Sequence, residues 1–131
     1  MTKERLRNYA TLKEEREQLR RQLDELEATL YYPKIQRLNG MPAAPSHENT
    51  LELMVARHVE LQERYEAKIA EMTAEMLAIE EAIEVLDPTA RMLLRYRYLD
   101  GLKWEEVCVQ MNYSWMQTHR IHAAALNQLN L

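Results

Sequence analysis

The stretch Leu86–Leu131, LDPTARMLLRYRYLDGLKWEEVCVQMNYSWMQTHRIHAAALNQLNL, decides how this chain is read. It divides into three short helices. Asp87 is a good N-cap and Pro88 suits the first helical position, so one helix is expected from Pro88 to Leu99. Asp100-Gly101 ends it, with glycine supplying a left-handed cap. A second helix is expected over Trp104–Met111, a turn at Asn112-Tyr113, and a third helix from Trp115 to about Leu129. That spacing is a helix-turn-helix, whose last helix can enter a DNA major groove.

Each position of the motif carries an expectation. Met92, Leu93, Tyr96 and Leu99 should turn inward from the helix that opens the stretch, with Arg91, Arg95 and Arg97 outside. Where the two motif helices cross, a small buried residue is needed, and Cys108 occupies that place. Asn112 tolerates the positive φ of the turn. Tyr113 should tuck inward. Ser114 should cap the last helix. Val107, Met111, Thr118, Ile121, Ala125 and Leu129 form the expected buried stripe. Trp115, Met116, Gln117, His119 and Arg120 are left on exposed early turns. Arg120 can hydrogen-bond guanine twice or reach a phosphate, and Gln117 can pair with adenine. His119 can donate to a phosphate, and Trp115 can contact thymine methyls or pack. Lys103 and Ser114 are candidate phosphate anchors. Trp104 is read as a packing residue.

Upstream, the pattern lengthens. Tyr9, Leu12, Arg16, Leu19, Leu23, Leu26 and Leu30 recur at alternating spacings of 3 and 4, a coiled-coil seam with one polar interruption. Thr2 can cap its start and Pro33 should stop it. Residues 33–49, PKIQRLNGMPAAPSHEN, read as a connector, with three prolines and one of the two glycines. A second long helix is expected from about Ser46 or Thr50 to Leu86, capped by Ser46 or Asn49. Its seam is Leu51, Met54, His58, Leu61, Tyr65, Ile69, Met72, Met76, Ile79, Ile83 and Leu86, with a stutter at Tyr65–Ile69. At ~1.5 Å per residue it spans roughly 55–60 Å and needs a partner along its length. That partner is either the first helix folded back or a second copy of the chain.

Composition agrees. Glycine and proline are scarce, phenylalanine is absent, and 47% of residues are apolar, which favours an all-α protein. The lone Cys108 excludes an internal disulfide. No segment has the ~20 apolar residues a transmembrane helix needs, so a cytoplasmic, membrane-free protein is expected. Net charge is −4, with 5 Lys/Arg against 4 Asp/Glu in residues 87–131. Since affinity for DNA comes largely from neutralised phosphates, one such module alone should bind weakly.

Residues 87–129 resemble region 4 of the sigma-70 family. Leu94–Leu126, LRYRYLDGLKWEEVCVQMNYSWMQTHRIHAAAL, follows its order of basic-apolar helix, Asp-Gly, Glu-Glu-Val helix, Ser cap and reader helix. The whole chain resembles small phage and prophage regulatory proteins related to late transcriptional activators of the RinA and ArpU type. "RLNGMP", "ELQERYEAKIAEM" and "YSWMQTHRIHAAAL" carry that wider likeness. The resemblance implies DNA contacts at Ser114, Trp115, Gln117, His119 and Arg120. Ala124, Asn127 and Gln128 depart from it, standing where basic residues are common.

The expected organisation is therefore a coiled-coil helix over 1–32, a linker over 33–49, a long helix over 50–86 and a helix-turn-helix domain over 87–131. The expected function is DNA-binding transcription regulation by a phage-derived homodimer that contacts double-stranded DNA and RNA polymerase. Two alternatives are a small terminase-like packaging subunit and a module that grips polymerase without touching DNA. No catalytic constellation or cofactor site is read from the sequence. His119 and His122 have helical metal-ligand spacing but no clear third ligand, so no metal site is expected.

Overall fold

The structure, a computed structural model, describes residues 1–31 and 47–131. Every regular element among them is helical. These are α1 (Lys3–Tyr31), α2 (His47–Ile83), α3 (Pro88–Leu94), a π-helical turn (Arg95–Leu99), α4 (Trp104–Met111) and α5 (Trp115–Gln128). None is long and apolar enough to cross a membrane. The expected stop at Pro33, the cap at Ser46 and most of the connector lie outside the described residues. Residues 47–49, expected in that connector, belong to α2, so Asn49 is inside the helix rather than capping it.

The chain forms two compact units, one of residues 14–70 and one of residues 1–13 with 71–131. The first is an antiparallel helical pair. Glu15 meets Lys68 at 2.6 Å, Arg20 lies 5.3 Å over the Tyr65 ring, and Glu27 meets His58 at 3.1 Å. Partner numbers fall on α2 as they rise on α1, so here α1 pairs with α2 of its own chain. Leu23 and Leu61 are the buried apolar residues in this unit. Lys68 rather than Ile69 lies on the covered side. The expected stutter is therefore absent, because the long Lys68 side chain can cover the helix with its stem while its ammonium reaches a carboxylate.

The second unit has one apolar core. Leu6 and Tyr9 of α1, Met72, Ile79 and Ile83 of α2, Leu86, and Ala90, Leu93 and Leu94 of α3 join Tyr98, Val107, Ala125 and Leu126. The expected boundary at residue 87 does not divide them. The first turns of α1 and the last of α2 complete the core that α3–α5 start. Leu6, absent from the expected seam, is fully buried three residues before Tyr9. Ion pairs flank the core. Arg5 grips Glu75 through two nitrogens at 2.9 and 3.2 Å. Arg95 grips Glu80 likewise, its shortest contact 2.7 Å, and holds the Glu80 carboxyl below the usual carboxylate range.

Local signals in the sequence explain the helix ends. Thr2 Oγ1 accepts from Arg5 N at 3.1 Å, and Asp87 Oδ1 from Ala90 N at 2.8 Å. α2 stops three residues before the expected Leu86, which stays buried beyond the helix end. The expected helix Pro88–Leu99 is not uniform. After Leu94 the chain widens into a π turn, closed by Asp100 N to Arg95 O at 2.8 Å. Leu102 N then bonds Tyr96 O at 3.0 Å, and Gly101 takes φ 71°. The extra residue rotates the later side chains by roughly one helical step of ~100°. Tyr98 therefore enters the core, while Tyr96 and Leu99, expected inside, are half-buried; before the turn, Leu94 is buried and Met92, expected inside, is 44% exposed.

Candidate functional site

α4 and α5 form the helix-turn-helix. Asn112 ends α4 in the left-handed conformation, φ 57° and ψ 42°. Tyr113 N then bonds Cys108 O at 3.1 Å, closing the turn. Tyr113 itself is exposed and Cys108 half-buried, which corrects the expected inward positions of both. Val107 of α4 and Thr118 of α5 are the fully buried residues of the two helices instead. Thr118 fits there because its hydroxyl returns to Ser114 O at 2.9 Å, leaving no orphan donor.

Ser114 Oγ accepts from Gln117 N at 3.2 Å and so starts α5. Beyond that cap the open side of α5 carries Trp115, Met116, Gln117 and Arg120, all exposed. Lys103, the residue before α4, is exposed too, and its backbone N donates to Glu106 Oε1 at 3.3 Å. Of the six candidate contact residues, five are exposed. His119 is different. Its ring lies between two indoles, 4.4 Å from Trp104 and 4.3 Å from Trp115 between centroids. Its Nε2 is buried and lacks a hydrogen-bond partner. His119 is therefore a spacer that stacks Trp115 onto the body of the unit, not a free phosphate donor.

The stack continues inward. His122 meets Trp104 edge-on at 4.7 Å, and Arg97 places its guanidinium 4.7 Å over the Trp104 ring. A cation above an indole face is stabilised by the ring quadrupole. Arg97 also donates to Leu102 O at 2.9 Å. Tyr98 Oη lies 2.8 Å from His122 Nε2. Burial, then the neighbouring His119, Lys3, Arg97 and Arg7, push the His122 pKa down to about 4. The ring is thus neutral at pH 7, and the tautomer it adopts sets the direction of its hydrogen bond with the Tyr98 hydroxyl. Burial pushes the Tyr98 pKa up, with Arg97 and Arg7 opposing. Among the described residues no three His, Cys, Asp or Glu side chains converge.

Sequence reasoning missed the part played by Arg97 and Tyr98, because both depend on the π turn. It also missed that the first turns of α1 border this region. The one available signal was Leu6, three before Tyr9, which extends the apolar seam to the amino end and brings Lys3 and Arg7 with it. No protein family, curated protein or solved structure compared with this chain matches it.

Proposed function

We propose that this chain is a DNA-binding transcriptional regulator, phage-derived and built on a helix-turn-helix like that of sigma-70 region 4. The observation that carries the reading is the open amino end of α5. Ser114 caps it, and Trp115, Met116, Gln117 and Arg120 stand clear of the core that holds the rest of the helix. A recognition helix meets base edges with its amino-terminal residues, so this is the part that must be free. In this reading Gln117 and Arg120 read bases, Lys103 and Ser114 hold phosphates, and Trp115 lies against a sugar or a thymine methyl. The helical pair of residues 14–70 presents the module or joins two copies. Leu51, Val55 and Val59, exposed at intervals of four on α2, offer an apolar stripe for such a join, and two modules offset the weakness of one.

Selection of bound fragments from random duplex DNA, followed by gel shift, tests the reading. Wild type should bind the selected sequence well above the Gln117→Ala/Arg120→Ala double variant. Equal binding on every selected sequence overturns it.

A second reading has its own support. Val109 is 77% exposed and Met116 72%, and with Trp115 they give the motif an apolar rim. Such a rim suits a protein partner such as an RNA polymerase subunit. A polymerase pull-down that survives the double variant, with no DNA shift by wild type, favours it. A packaging subunit would instead form rings, which light scattering detects.

A further inference from the structure

A cleft of about 180 Å³ opens beside the motif, lined by Leu6, Arg7, Ala10, Arg97, Tyr98 and Gly101. Its floor is apolar and its two charged members are both arginines, brought together from opposite ends of the chain. Arg97 is held in place by the Trp104 face and by Leu102 O. Arg7 is exposed, and among the described residues neither Arg7 nor Lys3 is ion-paired. Every charged neighbour acting on His122, which bonds Tyr98 in the cleft wall, is cationic. Glu75 and Glu80 of the same unit are engaged by Arg5 and Arg95, and Asp100, which precedes Gly101 of the lining, is exposed and does not itself line the cleft. Like charges fixed around a cavity without a carboxylate repel one another until an anion enters. A planar guanidinium fork suits phosphate oxygens better than a point charge does.

We infer that the cleft between Arg7 and Arg97 binds a phosphate group, and that in the DNA complex this is a backbone phosphate. The second clause rests on the DNA reading above. Arg97, Trp104, His119 and Trp115 form one stack with steps of 4.7, 4.4 and 4.3 Å. The stack thus runs from the Arg97 wall of the cleft to the exposed Trp115 at the amino end of α5. The amino end of α1 also supplies the charge that the motif lacks. Residues 1–13 and 87–131 together carry nine basic against five acidic side chains, and the five glutamates of residues 71–86 bring the whole unit to nine against ten.

Two measurements test this on the full chain. In the first, inorganic phosphate is titrated against wild type while the arginine Nε–Hε resonances are followed by NMR. The Arg7 and Arg97 signals should move together and saturate, and Arg7→Ala should abolish the Arg97 shift. Signals that do not move, or an Arg97 shift unchanged in Arg7→Ala, overturn the site. In the second, DNA affinity is measured against salt. Arg7→Ala should reduce the slope of log K on log salt by about 0.9, the value for one phosphate contact, equally on all sequences. An unchanged slope in a protein that binds DNA overturns the backbone-phosphate assignment and leaves the DNA reading intact. Phosphate saturation in a protein that binds no DNA supports the cleft as a site for free phosphate and sinks the DNA reading. Arg7 is exposed on a helix and alanine is the best helix former, so the variant keeps the fold; far-ultraviolet circular dichroism confirms it.

Discussion

Residues 14–70 and the rest of the described chain hold their helices together by different means. The larger unit gathers thirteen buried apolar residues, drawn from all five α-helices and the π turn, into one cluster. The helical pair has Leu23 and Leu61 buried and Leu19, Leu26, Leu30, Met54 and Tyr65 half-buried, and adds Glu15–Lys68, Glu27–His58 and Arg20 over Tyr65. Burial of an aliphatic side chain contributes ~1.5–3 kcal/mol. An exposed ion pair contributes ~0–1 kcal/mol. The difference means that a seam with the same 3-4 spacing can be a closed core at one end of a helix and a thinner, half-covered zipper flanked by ion pairs at the other. The turns of α1 and α2 beyond the core bury less apolar surface than those inside it.

The largest expected contrast comes from truncating one fully buried leucine in each unit. Leu93→Ala should cost ~3–5 kcal/mol, because its neighbours are locked on several sides and the cavity cannot collapse. Leu23→Ala should cost ~2 kcal/mol, since a two-helix seam can close over the gap. Urea denaturation measures both, and equal losses would erase the distinction between the units.

An intermediate effect depends on pH. The His122 ring has its pKa pushed down to about 4 in the folded chain, against about 6.5 when free. Its contribution is complete above pH 6.5 and is lost as pH falls toward 4, because the unfolded chain takes up the proton first. Partial exposure reduces the expected loss to ~1–2 kcal/mol. His122→Gln, which keeps a hydrogen-bond partner for Tyr98, should be less acid-sensitive than wild type by that amount. Parallel stability curves for the two proteins between pH 7 and 4 would show that the ring is not in this environment.

The smallest effect belongs to the zipper. A double-mutant cycle on Glu15→Gln and Lys68→Met should give a coupling of ~0.3–1 kcal/mol, weaker in high salt. A coupling as large as the Leu93 effect would make the helical pair a second core in electrostatic form.

Much of the fold is legible along the chain because its signals are local. Asp87, Ser114 and Asn112 each satisfy or redirect backbone groups within a few residues of themselves, so their roles hold whatever packs nearby. The candidate site was legible where it relied on such signals. Ser114 sets the start of α5, and that start leaves Gln117 and Arg120 outside. The failures share one cause. Helical phase places His119, and position in the motif places Tyr113 and Cys108; neither tells whether two indoles close on a ring or how a left-handed turn aims the next side chain.

What the amino-acid order determined, then, is the all-helical character, the caps and the helix-turn-helix spacing. These come from backbone hydrogen bonding and period, which act over a few residues. Tertiary structure alone decided the π turn that sends Tyr98 inward, the stack from Arg97 to Trp115, and the meeting of Arg7 with Arg97. Each of these requires contacts between residues far apart in the chain, and burial of the shared apolar core is what brings them together.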